Sequence, residues 1–592
     1  MGFFANLGRY LTGRLPWYEM PRFLAVRRLI SMRRDLREMN LHDTEEPPLE
    51  SQDPAKTPES ARRYRTVDGA YNDLRYPRMG SAGTRFGRNF PLKNVFPDKD
   101  NLLEPNPREV SLELMTRHQF QPVPILNLLA ASWIQFQVHD WFAHKRKPAG
   151  SPDSYEIPLK DNDTWPDRPM RVPPTEVDPP KVPGSSRPPA YANQNPQWWD
   201  GSQIYGLSIE EQNRLRTFED GKLKVNRDGK LLLNPDTGID LTGFIDNWWV
   251  GLSMLHGLFT LEHNAICDRL KQEFKDWDDE RLFQQARLIN VALMAKIHTV
   301  EWTTSIITHP VVVEAMNVNW YGALGEKAQE ALPFLDNSEL LGGIVGSKAD
   351  HHAAPYSLTE EFVAVYRMHP LMPDDFTFLS VTSGEVLETL PLPELAGRKS
   401  RAVLERHSMQ NLFYSFGRMH PGAIRLHNYP RHLQFLKRDD GETLDLAAVD
   451  ILRDRERGVP RYNDFRRLLR KDPVQKFEDL TDVPEWAEQI RRVYNGDIEK
   501  VDLQVGLMAE PLPKGFGFSE TAFRIFVLMA SRRLKSDRFF TDDYRPEVYT
   551  KPGLDWIREN SMLKILRRNY PELAPALEGL KSAFEPWKKL GS

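Results

Sequence analysis

The sequence predicts a mainly α protein with long irregular loops and little β. Three observations carry that expectation. Apolar residues recur at helical spacing over most of the chain beyond Val110. The period-two alternation of half-buried strands is scarce. A proline-dense stretch, residues 146–197, shows no long apolar period and reads as an irregular excursion over the surface.

Taken in order, residues 1–40 carry eight arginines and no lysine, interleaved with Phe3, Phe4, Leu7, Trp17, Phe23, Leu24 and Leu29. Such a basic amphipathic segment suits peripheral contact with a membrane surface. It equally suits a helix packed on the body with its arginines in solvent, and both readings stay open. Residues 41–63 are polar and acidic and read as a linker. The rest, 64–592, is expected to form one catalytic domain. It begins with extended, looping chain rich in Gly, Asn, Pro and Arg (64–110). NLLAASWIQFQVHDWFAH, from Asn127, predicts a helix. Further helical patterns fall at 208–218, 246–273, 279–307, 358–368, 400–417, 445–456, 484–496, 519–535 and 553–568. No solenoid period is present.

Composition bounds the function. At 592 residues the chain can bury a large core. Its net charge of −4 gives no field to recruit nucleic acid, and none is expected as a partner. The single cysteine, Cys267, forbids an intramolecular disulfide and suits a reducing compartment. No apolar run approaches the ~18 residues of a membrane span, and the N-terminus lacks a signal-peptide core. A cytoplasmic or membrane-peripheral location and a monomer are expected.

No Walker loop, HExxH or GxSxG elbow occurs. What stands out is a set of histidines in apolar helical settings. In QFQVHDWFAH, Gln135 and His139 are four apart and share a helix face, with Asp140 following. In YRMHP, Tyr366 and His369 are three apart, which predicts one helix face ending near Pro370. A neutral imidazole beside a phenol suits a metal or haem ligand next to a redox-active tyrosine; a buried Tyr–His pair is the plainer reading. In NPQWWDGSQIYG, Asp200 and Ser202, with carbonyls near Trp198 and Asp140 from the helix, offer hard oxygen ligands for calcium, or merely an Asp-Gly turn. His298 and Thr303 are five apart, not ideally co-facial on an α-helix. Arg532 and Arg533 follow an apolar helix; an arginine at the edge of an apolar cavity can bind a carboxylate bidentately, although helix-surface ion pairing would also account for it.

These pieces in this order resemble the animal-type haem peroxidase and cyclooxygenase superfamily, and more closely the fatty-acid α-dioxygenases. The resemblance runs from LPWYEMPRFL to NYPEL and is carried by YRTVDGAYNDL, RFGRN, QFQVHDWF, WWDGS, LEHNAICD, KIHTVEWT, YRMHP, RDRERGVPRYNDFRR, GLMAE and ETAFRIFVLMASRRLKSDRFFT. It implies a haem peroxidase-like helical fold, haem b and Ca2+ as cofactors, and a long-chain fatty acid and O2 as substrates. It gives His139 the distal role, with Gln135 beside it, His369 the proximal haem ligand, and Tyr366 the radical tyrosine. It assigns Asp140, Trp198, Asp200 and Ser202 to calcium, and His298, Thr303 and Arg533 to the substrate carboxylate. The near-repeat GRMHP has Gly417 at the tyrosine position, so His420 reads as a structural echo.

A carboxylate fixed beside Tyr366 would place C2 at the phenoxyl, giving a 2-hydroperoxy acid. The chain also departs from the wider superfamily. Ile245, Trp248 and Trp249 fall where a distal arginine and haem-bonding residues are usual, and Val138 replaces the other ester-forming acid. The expectation is non-covalent haem and poor classical peroxidase activity. Asp450 falls where the proximal histidine's usual asparagine partner lies. Pro196 replaces a calcium-loop threonine, which implies weaker calcium or none. Two other readings remain: a haem peroxidase or a dioxygenase attacking another carbon, and a non-catalytic membrane-surface binding protein.

Overall fold

The computed structural model describes residues 16–323, 325, 339–438 and 441–590. Among the described residues helix accounts for 45% and extended pairing for 8%, the latter split between four two-stranded antiparallel hairpins and isolated bridges. Ten helices position the site: α1 (Arg22–Met39), α2 (Leu129–Trp141), α3 (Val250–Glu273), α4 (Asp279–Ile297), α5 (Thr303–Ile306), α6 (Pro310–Tyr321), α7 (Glu360–Val365), α8 (Met409–Arg418), α9 (Leu446–Glu456) and α10 (Glu520–Ser536).

The α2 helix is apolar nearly all round, and 11 of its 13 residues are buried. A helix of that kind belongs at the centre of a large protein, and α2 packs there against α3. The α3 and α4 helices pack along each other. Side-chain caps start α4, α7, α9 and α10: Asp278, Thr359, Asp445 and Ser519 each accept from backbone N–H groups of the first turn. One hydrophobic cluster runs from Trp17 to Trp587, so both ends of the described chain share its core.

Residues 22–39 form the packed helix of the two readings. Ala25, Leu29, Met32 and Leu36 are buried at helical spacing against α10 and α6. Its arginines are not all solvated, because Arg33 and Arg37 turn inward to Glu339. Residues 41–63, expected as a linker, are tied to the body where they begin: His42 pairs backbone to backbone with Arg88, and Thr44 donates to the Phe86 carbonyl at 2.6 Å. The pattern expected as one helix over 400–417 is two, Lys399–Arg406 and α8, with Ser408 capping the second. Cys267 is buried on α3, its Sγ 3.4 Å from the Gly221 carbonyl and 3.5 Å from Nε2 of His263.

Candidate active site

Two polar centres lie on either side of YRMHP. The sequence predicts Tyr366 and His369 on one helix face, but α7 stops at Val365 and His369 opens a 3-10 turn (His369–Leu371). The histidine precedes a proline, which disfavours α conformation at His369 itself. The two side chains therefore have different neighbours. Tyr366 packs against Phe362 and edge-on to Trp141, ring centroids 4.5 and 5.4 Å away. His369 faces Tyr429 and α9.

On the His369 side, Nδ1 lies 2.8 Å from Oδ2 of Asp450. The other oxygen of Asp450 accepts from Arg367 at 2.6 Å, and the Tyr429 hydroxyl donates to Oδ2 at 3.0 Å. Burial alone would raise the Asp450 carboxyl; His369 and Arg367 outweigh it and hold the carboxyl down at about 2. The carboxylate is thus ionised and fixes the imidazole with Nε2 turned away from it. A histidine held this way is the usual form of a metal or haem ligand.

His139 is buried on α2 with Nδ1 unpartnered among the described residues, packed edge-on to Phe244. Burial is the only cause acting on it and lowers its imidazole to about 3, so it is neutral and able to accept a proton. Gln135, one turn earlier, is held by Trp249, whose Nε1 donates to Oε1 at 2.8 Å, while Nε2 donates to the Asn247 carbonyl at 3.2 Å. His369, a third exposed and 2.8 Å from the Asp450 carboxylate, has the chemistry of an iron ligand, and buried His139, neutral with a free Nδ1, that of a proton acceptor.

The Tyr366 side is a narrow enclosed cleft. Its walls include Tyr366, His298, Thr303, Arg533, Trp141 and Trp199. The Tyr366 hydroxyl is buried and unpartnered among the described residues, and burial pushes it up. Arg533 is 1% exposed, with its guanidinium over Trp141 at 4.1 Å and over Trp199 at 4.3 Å. Its Nε and Nη2 have no partner among the described residues. Arg532, by contrast, is spent on the carbonyls of His351, Ala354, Pro355 and Ser357.

His298 and Thr303, five apart, do share the cleft. Residues His298–Trp302 form a π turn, whose five-residue period replaces the α-helical one. His298 stacks on Trp302 at 4.9 Å, and Trp133 Nε1 lies 3.3 Å from its Nδ1. Burial, then the Arg533 charge, lowers its imidazole far below the usual value, so it is neutral.

Of the four residues expected at calcium, Asp140 and Ser202 bond each other directly. Ser202 donates to Oδ1 of Asp140 from its backbone N–H at 2.6 Å and its hydroxyl at 2.7 Å. Asp200 gives Oδ1 to Arg65 at 3.0 Å, while its Oδ2 is buried without a partner among the described residues. Burial raises both carboxyls, that of Asp200 to about 6. Trp198 stacks on Tyr356 at 4.0 Å and anchors the loop. The orphaned Asp200 oxygen and the Asp140 carboxylate are hard donors of the kind a calcium ion takes. No group of three or more His, Cys, Asp or Glu poised for a metal occurs among the described residues.

Sequence reasoning missed Arg65, Trp141, Trp199, Arg367 and Tyr429. Trp141 and Trp199 were visible only as aromatics flanking the motifs. Arg65 lies in YRTVDGAYNDL, yet nothing local links it to Asp200, 135 residues away.

The helical scaffold is that of a haem protein: the chain belongs to the animal haem peroxidase family, which matches residues 64–578. Within that family its close relatives are α-dioxygenases. It is 39% identical to α-dioxygenase 1 of Arabidopsis thaliana, covering 97% of this chain and 90% of that one. It is 40% identical to an α-dioxygenase of Oryza sativa, covering 88% and 86%. The crystal structure of the Arabidopsis thaliana fatty acid α-dioxygenase superposes with a TM-score of 0.91 at 38% identity, over 99% of this chain and 92% of that one. That of an Oryza sativa fatty acid α-dioxygenase variant with palmitic acid gives 0.90 at 37%, over 99% and 98%. The chain is accordingly a haem-dependent α-dioxygenase.

Proposed function

We propose that the cleft binds a long-chain fatty acid by its carboxylate and that Tyr366 directs O2 to C2. The observation that carries this reading is one enclosed space holding both an arginine with two unpartnered nitrogens and a tyrosine hydroxyl without a partner among the described residues. A carboxylate is strongly hydrated, so burying it requires charged and polar donors. Arg533 supplies the charge, with His298 and Thr303 beside it. The indoles of Trp141 and Trp199 hold the guanidinium flat. The palmitic acid of the Oryza sativa structure supports this class of substrate.

Haem bound on His369 would supply the oxidising equivalent that removes the hydrogen atom from the Tyr366 phenol. Asp450 would keep the His369 imidazole oriented, and neutral His139 would accept and return a proton. The Tyr366 phenoxyl then takes a hydrogen atom from C2, and O2 adds to the carbon radical. The peroxyl regains a hydrogen atom from Tyr366, leaving a 2-hydroperoxy acid and restoring the radical. Holding the head group still is what selects C2. Ile245 in place of the superfamily's distal arginine favours this over classical peroxidase chemistry. Trp249, in the segment where the superfamily's distal arginine is usual, is engaged with Gln135. Non-covalent haem goes with Val138 and Trp248 in place of ester-forming acids.

Asp140, Asp200, Ser202 and the Trp198 carbonyl would hold calcium as a structural brace beside α2. The outward face of α1, with Phe23 77% exposed beside Arg27 and Arg28, supports peripheral contact with anionic lipid. The deciding experiment is O2 uptake by the haem-reconstituted protein with palmitate, which has no bis-allylic hydrogen. A 2-hydroperoxide product is expected; a good Soret band with no uptake would overturn the reading.

A further inference from the structure

We propose that Arg65 is a positioning residue for the carboxylate clamp: it ties the Asp200 loop to the end of α10 and so sets where Arg533 lies. This rests on the carboxylate binding by Arg533 proposed above. Two nitrogens of Arg533 have no partner among the described residues, and its guanidinium lies against the indoles of Trp141 and Trp199. Each indole adjoins an acid in the sequence, Trp141 after Asp140 and Trp199 before Asp200. Whatever fixes Asp200 therefore fixes one side of the seat in which the guanidinium rests.

Arg65 is buried between two carboxylates, and one of its nitrogens, Nη1, reaches both: Oδ1 of Asp200 at 3.0 Å and Oδ2 of Asp537 at 2.9 Å. Asp537 follows the last residue of α10, one turn beyond Arg533. The three side chains are at most 1% exposed, so solvent ions do not screen the bridge. Both carboxylate-bearing segments are held from other sides as well. Arg287 of α4 donates to the carbonyls of Asp200 at 3.0 Å and of Arg65 at 3.2 Å. Asn72 donates to the other oxygen of Asp537 at 2.9 Å. Without the Arg65 charge, two buried carboxylates face each other across the joint. Their repulsion would draw Trp199 and the end of α10 apart, and Arg533 would lose its fixed place beside Tyr366 in the cleft. Arg65 does not line the cleft, so it acts through Arg533.

The test is steady-state O2 uptake with palmitate by haem-reconstituted wild type, Arg65→Gln, Asp537→Asn and Arg533→Ala, and by Arg533→Ala combined with each of the other two. Every protein is checked for its Soret band. Arg65→Gln and Asp537→Asn are each expected to raise KM about tenfold while changing kcat less than about twofold. Asp537→Asn leaves the Asp200 side intact, so a rise confined to Arg65→Gln would place the effect in the Asp200 loop and overturn the tie. If Arg65→Gln does not fold, Asp537→Asn alone carries the test. In the Arg533→Ala background the same changes are expected to cost less than about twofold further in kcat/KM, because the residue they act through is gone. Full additivity overturns the proposal. A KM raised by Arg533→Ala and by neither of the other two removes the role of Arg65 alone. A KM unchanged in Arg533→Ala itself overturns the clamp, and the role of Arg65 with it.

Discussion

The hydroxyl of Thr303 donates to the main-chain carbonyl of His298, five residues earlier, at 2.8 Å. In an α-helix that spacing turns a side chain well away from its partner. Here a π turn closes the gap, and both residues line the cleft beside Arg533. The local cost of widening the helix is met by stacking His298 on Trp302. π turns of this kind often mark functional sites, and the consequences can be measured.

Tyr366→Phe removes only the hydroxyl from a packed ring. Haem binding should be unchanged, and O2 uptake with palmitate should fall at least a hundredfold, below the contribution of any positioning effect. Turnover near wild type would sink the radical role.

Arg533→Ala removes charge-assisted bonds of about 1.5–3 kcal/mol, equivalent to a rise in KM for palmitate of roughly 10- to 150-fold. Arg532→Ala should instead lower Tm, because it frees four carbonyls that Arg532 now satisfies. The opposite pattern would exchange the two assignments.

His369→Ala should abolish the Soret band of the reconstituted protein. Asp450→Asn should keep it while raising the haem reduction potential, since a neutral amide no longer gives the imidazole its anionic partner. A potential unmoved in spectroelectrochemical titration would argue that Arg367 already neutralises Asp450.

Glu339 titrates within a mostly buried ion triad with Arg33 and Arg37. Burial would raise its carboxyl, but Arg37 and Arg33 draw it down from 4.5 to about 2. A depressed carboxyl stabilises the fold above its unfolded pKa and loses that contribution as pH falls toward the folded one. That depression corresponds to ~3 kcal/mol. The Tm difference between wild type and Glu339→Gln should be constant from neutral pH to about pH 5 and shrink toward pH 2. A difference independent of pH would remove the ion triad from the energetics.

Chelation tests the cation. Extracting calcium leaves Asp200 and Asp140 facing each other, so EDTA should lower Tm and added calcium should restore it. Asp200→Asn should remove the response. A protein indifferent to both would mean that Arg65 satisfies the site alone, consistent with Pro196 in the loop.

The helices were legible because their apolar period is long and their caps are local, as at Thr359 and Ser519. The sites were legible where neighbours in sequence are neighbours in space: His139 with Asp140, and Asp200 with Ser202. Legibility failed at backbone irregularities. Tyr366 and His369 were read as one face because three-residue spacing implies a helix, and the chain leaves the helix between them. It failed again across distance, since Arg33 and Glu339 are brought together only by tertiary packing. The GRMHP echo is explained by the fold: a Cβ on Gly417 would sit 2.1 Å from the Trp587 ring, so no tyrosine fits there.

The lone thiol of this chain has a bearing on its durability. An enzyme that releases hydroperoxides bathes itself in an oxidant whose first protein target is an accessible thiolate. Cys267 is enclosed beside His263, and burial holds it strongly in the protonated form. The catalyst offers no cysteine for its own product to consume, so its working lifetime is set by the chemistry of the cleft and not by sulfur oxidation at this residue.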